Sequence, residues 1–138
     1  MKKILATAFL LSAIVLGIVS CSDKGGGGGG GGASEANLVI ILNPPANSVQ
    51  PAAPQTDFPL TVSITSAMPP QGVTIDVKAA PEGSTTNFFT ETRSSTSATN
   101  NFTITSTPVG VVCVVTVTVT SKTKATNTVT ASYRYSRK

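Results

Sequence analysis

The chain has 138 residues, with 10 lysines and arginines against 6 acidic residues, a formal charge of +4, and neither histidine nor tryptophan. So mild a balance is not the basic footprint of a nucleic-acid-binding domain. Without histidine, the usual zinc ligand sets and a histidine-activated nucleophile are closed to it.

Met1, Lys2 and Lys3 give a positive start, and residues 4–18 are apolar apart from Thr7, Ser12 and Gly17. Residues 4–19 number 16, at or below what a spanning helix needs, and the order of charge, apolar stretch and small residue is signal-peptide anatomy. The stretch closes on Ile18-Val19-Ser20-Cys21. That run resembles the lipobox of bacterial lipoproteins, with an aliphatic residue three before the cysteine, a tolerant position next and a small residue just before it. The resemblance implies that residues 1–20 are a cleaved signal peptide. It further implies that Cys21 carries a diacylglyceryl thioether on sulfur and an acyl chain, such as palmitate, on nitrogen. Each buried methylene contributes about 0.8 kcal/mol, so two or three chains hold a protein firmly on a membrane. Cys21 is then unavailable as a thiol or ligand. Ser22, rather than aspartate, follows it, which in the lipoprotein pattern implies the outer membrane of a bacterial envelope. Loss of Lys2 and Lys3 with the leader lowers the mature charge to +2.

Residues 21–34 form the tether. Residues 25–32 are eight consecutive glycines, a run that no packed element uses because glycine loses the most backbone entropy on ordering. The 13 residues of 22–34 span roughly 20 Å as a random coil and about 45 Å fully extended. A phosphate-cradling glycine loop would need a preceding strand, a following helix and a Lys-Ser/Thr ending, and the sequence supplies none of these.

Residues 35–138 are rich in Thr, Ser, Val and Pro, with short alternating runs punctuated by proline and glycine, and predict a single all-β sandwich. The first strand is expected over residues 37–42 (NLVIIL), stopped by Pro44 and Pro45. The proline-rich residues 44–59 form a loop with some extended edge character. Leu60, Val62 and Ile64 alternate with threonine and serine in the second strand, and Val73, Ile75 and Val77 alternate in the third. Residues 87–93 are a weaker fourth strand whose Phe88 and Phe89 point to opposite faces, leaving one ring open. Residues 101–105 make the fifth, with Phe102 and Ile104 inward. The sixth, residues 111–120, turns Val115, Val117 and Val119 to the core and Thr116, Thr118 and Thr120 to solvent. Its first half, apolar at every position from 111 to 115, is expected to be covered on both faces. The seventh, residues 128–136, puts Val129, Ala131, Tyr133 and Tyr135 on one face.

Seven short strands in about 100 residues resemble the immunoglobulin-like or fibronectin-type sandwich. Pro108-Val109-Gly110 followed by Cys113 and alternating valines is similar to the penultimate strand of such domains. The antibody-type disulfide, its tryptophan and the usual tyrosine corner are all missing. A sandwich of this kind implies no particular activity.

Few residues offer chemistry. Cys113, amid valines, reads as a small buried hydrophobe. The carboxylates Glu35, Asp57, Asp76, Glu82 and Glu91 lack the spacing of a calcium loop. Only Glu82 and Glu91 could meet as the pair that glycoside hydrolysis requires. No catalytic, metal or cofactor site is expected. Lys122, Lys124, Arg134, Arg137 and Lys138 gather toward the C-terminus, as solubilising charge or a mild patch for anionic glycans or lipid headgroups. The expected role is therefore a non-enzymatic, lipid-anchored envelope protein that presents its sandwich to an envelope protein partner. The alternative is a glycan-binding accessory lipoprotein using Tyr133 and Tyr135 as a stacking platform for an extracellular glycan.

Overall fold

The computed structural model describes residues 34–138; Cys21, the leader and the glycine run lie outside the described residues. Within them the protein is all-β. Seven antiparallel strands are formed, β1 (Ile40–Asn43), β2 (Phe58–Ile64), β3 (Val73–Pro81), β4 (Phe89–Ser95), β5 (Thr99–Ile104), β6 (Val112–Ser121) and β7 (Thr128–Ser136). They make two sheets, of order β1-β2-β5 and β4-β3-β6-β7. Compared with the constant-type immunoglobulin order, in which the fourth strand lies beside the fifth, β4 here pairs with β3 instead.

Alternation places one face of every long strand in a shared interior. Leu60, Val62 and Ile64 of β2 meet Val73, Ile75 and Val77 of β3 and Val115, Val117 and Val119 of β6, all buried. Cys113 is fully buried in the same row, and desolvation pushes its thiol pKa up. On the outside of β6, Thr118 and Thr120 bond across the ladder to Thr130 and Thr128, at 3.1 and 2.9 Å, as cross-strand threonine pairs do.

Several boundaries differ from the sequence expectation. β1 starts at Ile40, because the amide of Leu38 donates to the Asn127 side chain at 2.9 Å and that of Val39 to Ser66 Oγ at 3.2 Å. β2 starts two residues early and includes Pro59. That proline lies beyond the last residue paired with β1, so its missing N–H interrupts no ladder on that side. Phe88 and Phe89 are both half-buried and pack against the core. The expectation that both faces of residues 111–115 are covered is overturned: Val111 and Val112 are 38% and 42% exposed. Among the described residues no layer covers the outer face of β6 at that end, where its neighbours across the ladder are Arg134 and Ser136.

Residues 44–57 are more than a loop. Their backbone runs parallel to β7 as a strap. The amides of Asn47, Gln50 and Ala53 donate to the carbonyls of Ser132, Arg134 and Ser136, and those of Arg134 and Lys138 return bonds to Ser48 and Ala53, all at 2.7–3.1 Å. The strap thus covers the edge of β7 that β6 leaves open, a common protection against strand-to-strand association.

The two ends of the sandwich differ. Leu38 and Ala36 are held by Asn127 in the β6–β7 turn, so the chain enters at the pole where β7 begins. The strap and the final residues of β7 run to the opposite pole.

Candidate functional site

The pole opposite the chain entry carries the most distinctive surface. Gly110, at φ +73°, turns the backbone there, as a left-handed position favours, and its amide donates to the Arg137 carbonyl at 2.7 Å. Val109 bridges to Arg137, Val49 bridges to Arg134, and Val112 lies across from Ser136. These three valines are 60%, 68% and 42% exposed. Arg134 among them is neutralised by Glu82, Nε to Oε1 at 2.6 Å.

A cleft of about 190 Å³ lies between the strap and β7. Pro44, Pro51 and Pro59 supply its walls, and Phe58, Tyr133 and Tyr135 line it with rings. Gln50 and Gln55 are its polar members, and among the described residues no charged side chain lines it. Proline fixes the strap in extended form, and the ladder to β7 holds it at a set distance from the rings.

Tyr133 and Tyr135 are brought together, as their shared face predicts, with centroids 6.1 Å apart and planes tilted by 42°. Tyr135 also packs on Phe58, centroids 4.5 Å apart. Both tyrosines are only 2% exposed, so neither offers an open ring face for stacking a sugar. Their alternation with Ala131 on β7 already pointed inward; the sequence did not show that the strap closes over them. Their hydroxyls differ. Tyr135 Oη shares a 2.7 Å hydrogen bond with the buried Thr107 hydroxyl, while Tyr133 Oη is buried with no partner among the described residues. Burial pushes Tyr135 up to about 12 despite the opposing Thr107 bond. Burial, and then the neighbouring Tyr135, raise Tyr133 well above the ordinary phenol value.

The other sequence candidates do not converge. Glu82 is tied to Arg134 and Glu91 to Arg93, so each carboxylate has its own arginine. Asp76 sits on the outer face of β3, where its hydrogen bond to Lys78 chiefly holds its pKa down. Among the described residues no three His, Cys, Asp or Glu side chains group as metal ligands. The basic residues divide between the poles: Lys122 and Lys124 in the β6–β7 turn, Arg137 and Lys138 at the far end. No single basic patch results. Cys21 lies outside the described residues.

Comparison with protein families, with curated proteins and with solved structures finds no match to this chain.

Proposed function

We propose that this chain is a non-enzymatic, lipid-anchored envelope protein whose sandwich serves as a protein-interaction module. Acyl chains on Cys21 hold it to the bacterial outer membrane, and the glycines of residues 25–32 give the sandwich reach. The observation that carries the reading is the division of the sandwich into two poles. The chain enters at the Asn127 pole, while Val109 and Val112 are exposed toward the other end, with Val49 and the ring-lined cleft along the strap; Val39 and Ile41 are exposed separately, beside and on β1. A local group of exposed apolar side chains beside a cleft is the surface expected of a docking site.

The test has two arms. In cells fed a clickable fatty acid, the wild-type chain takes up label and Cys21→Ser accumulates as an unlabelled, uncleaved precursor. A mature, membrane-bound and unlabelled Cys21→Ser protein would sink the anchoring. Affinity capture from detergent-solubilised envelope recovers a stoichiometric protein with the wild type and loses it with a Val109→Asp, Val112→Asp double variant. Recovery unchanged by the double variant would remove the valine pole from the reading.

A further inference from the structure

Sheet edges are usually blunted with charge, proline or a covering segment, and three of the four edges here follow that rule. The strap covers β7. β4 carries Glu91 and Arg93, and the Arg93 guanidinium reaches across to β5. β5 itself turns the polar Asn101 and Thr103 outward. β1 is different. It ends its sheet, residues 36–56 contain no charged side chain, and among the described residues no segment pairs with its outer side.

The backbone of that edge is set for pairing. The Val39 carbonyl accepts from the Thr65 amide at 2.9 Å, so Val39, Ile41 and Asn43 bond toward β2. By the alternation of an antiparallel ladder, the amides and carbonyls of Ile40 and Leu42 point the other way. They have no backbone partner among the described residues. The usable stretch is short, because Asn127 takes the Leu38 amide at one end and Pro44 follows the strand at the other.

We propose that β1 pairs with β1 of a second copy of this chain, antiparallel and two-fold symmetric, with Ile40 opposite Ile40. Self-complementarity selects the second copy. Centred on Ile40, Val39 falls opposite Ile41 and Leu38 opposite Leu42, so each face matches apolar with apolar. Val39 and Ile41 are 53% and 60% exposed, and each covers the other across the seam. Ile40, half-buried at the border of the core, completes its cover against its own copy. The hydrogen bonds match as well. The two Ile40 residues exchange amide-to-carbonyl bonds, and each Leu42 amide meets a Leu38 carbonyl. The Leu38 amide, already satisfied by Asn127, is not left stranded. The merged sheet has six strands and ends in the polar β5 of each copy, so the isologous contact closes at two. This goes beyond the proposed role and does not depend on it, since β1 is separate from Val109 and Val112.

A cysteine pair tests the register. Two full-length chains, one Val39→Cys and one Ile41→Cys, each with its own tag, are produced together and oxidised. Directly opposite in a non-hydrogen-bonded pair, their Cα atoms lie about 4.5 Å apart, within disulfide range. In either variant alone the new cysteines sit on the diagonal, about 7–8 Å apart. The mixed pair therefore gives a disulfide-linked dimer carrying both tags, about tenfold more than either variant alone. Both positions are more than half exposed, so the urea midpoints stay at the wild-type value. In the wild-type full chain, hydrogen exchange at the Ile40 and Leu42 amides slows about tenfold as protein concentration rises, while the Ile41 amide, which faces Ser63 of β2, does not change. The inference fails if the mixed pair gives no dimer, if either variant alone links as well, if the cysteines link to a different protein instead, or if exchange at Ile40 and Leu42 ignores concentration. Absence of the dimer would leave capture through Val109 and Val112 standing, and loss of that capture would leave the dimer standing.

Discussion

The guanidinium of Arg93 on β4 lies over the ring of Phe102 on β5, 4.4 Å from its centroid, and so joins two strands that belong to different sheets. Its Nη1 also donates to the Asn101 carbonyl at 3.0 Å, and its Nη2 pairs with Glu91. One side chain thus fastens the side of the sandwich where β4 and β5 each have a free edge. Arg93→Ala should lower unfolding free energy by about 1 kcal/mol, the scale of a partly exposed cation–π contact. Arg93→Lys should recover only part, because a lysine lacks the planar fork that stacks and donates together. Urea unfolding of the two variants measures this, and equal stability of lysine and arginine would show that charge alone matters.

Asn127 should matter more than its place in a hairpin turn implies. Its Nδ2 donates to the Ala36 carbonyl at 2.9 Å and to Glu35, and its Oδ1 accepts from the Leu38 amide. Asn127→Ala leaves these groups to find water and should cost about 2 kcal/mol. The Leu38 amide should then exchange hydrogen far faster than those of β6. Unchanged protection at Leu38 would mean that the first residues are held by packing instead.

The two tyrosines make stability depend on high pH. Tyr135 is raised to about 12 in the fold, and Tyr133 is raised as well, whereas an unfolded tyrosine ionises near 10. The folded state therefore keeps its phenolic protons after the unfolded state has lost them. Their contribution is complete below about pH 10; that of Tyr135 is lost between about pH 10 and 12, at about 1.4 kcal/mol per pH unit, and that of Tyr133 also declines as pH rises above about 10. Urea midpoints should be flat with respect to these groups below pH 10 and fall steeply above it. Tyrosinate absorbance should appear together with unfolding, and tyrosinate formed in a still-folded chain would contradict the burial.

Thiol counting tests the core and the anchor together. Cys113 is fully buried with its thiol pKa raised, so the native protein should resist a thiol reagent for as long as it stays folded. The chain has two cysteines. In guanidinium the purified mature protein should release one thiol, Cys113; two reactive thiols would show an unmodified Cys21.

Much of the fold was legible in the sequence because its strands alternate cleanly. The residue pattern of β7 gave its full span, and Leu60 to Ile64 and Val73 to Val77 gave the facing rows. What the sequence could not show depended on partners far along the chain. Whether residues 111–115 are covered turns on what packs outside them, which no local pattern encodes. The strap was half visible: its prolines marked extended backbone, but its pairing with β7 connects residues more than 80 positions apart. The site was legible in part. Shared parity placed Tyr133 and Tyr135 together, while their closure by the strap, and the difference between a satisfied and an orphaned hydroxyl, rest on Thr107 and on three-dimensional reach.

The parallel pairing of the strap with β7 also sets how the sandwich bears force. The chain enters at one pole and β7 finishes at the other, so tension between its two ends pulls along the strand axes. The five backbone hydrogen bonds from the strap to β7 and to Lys138 beyond it then lie across the pull and resist shear as a group, instead of parting one after another like a zipper.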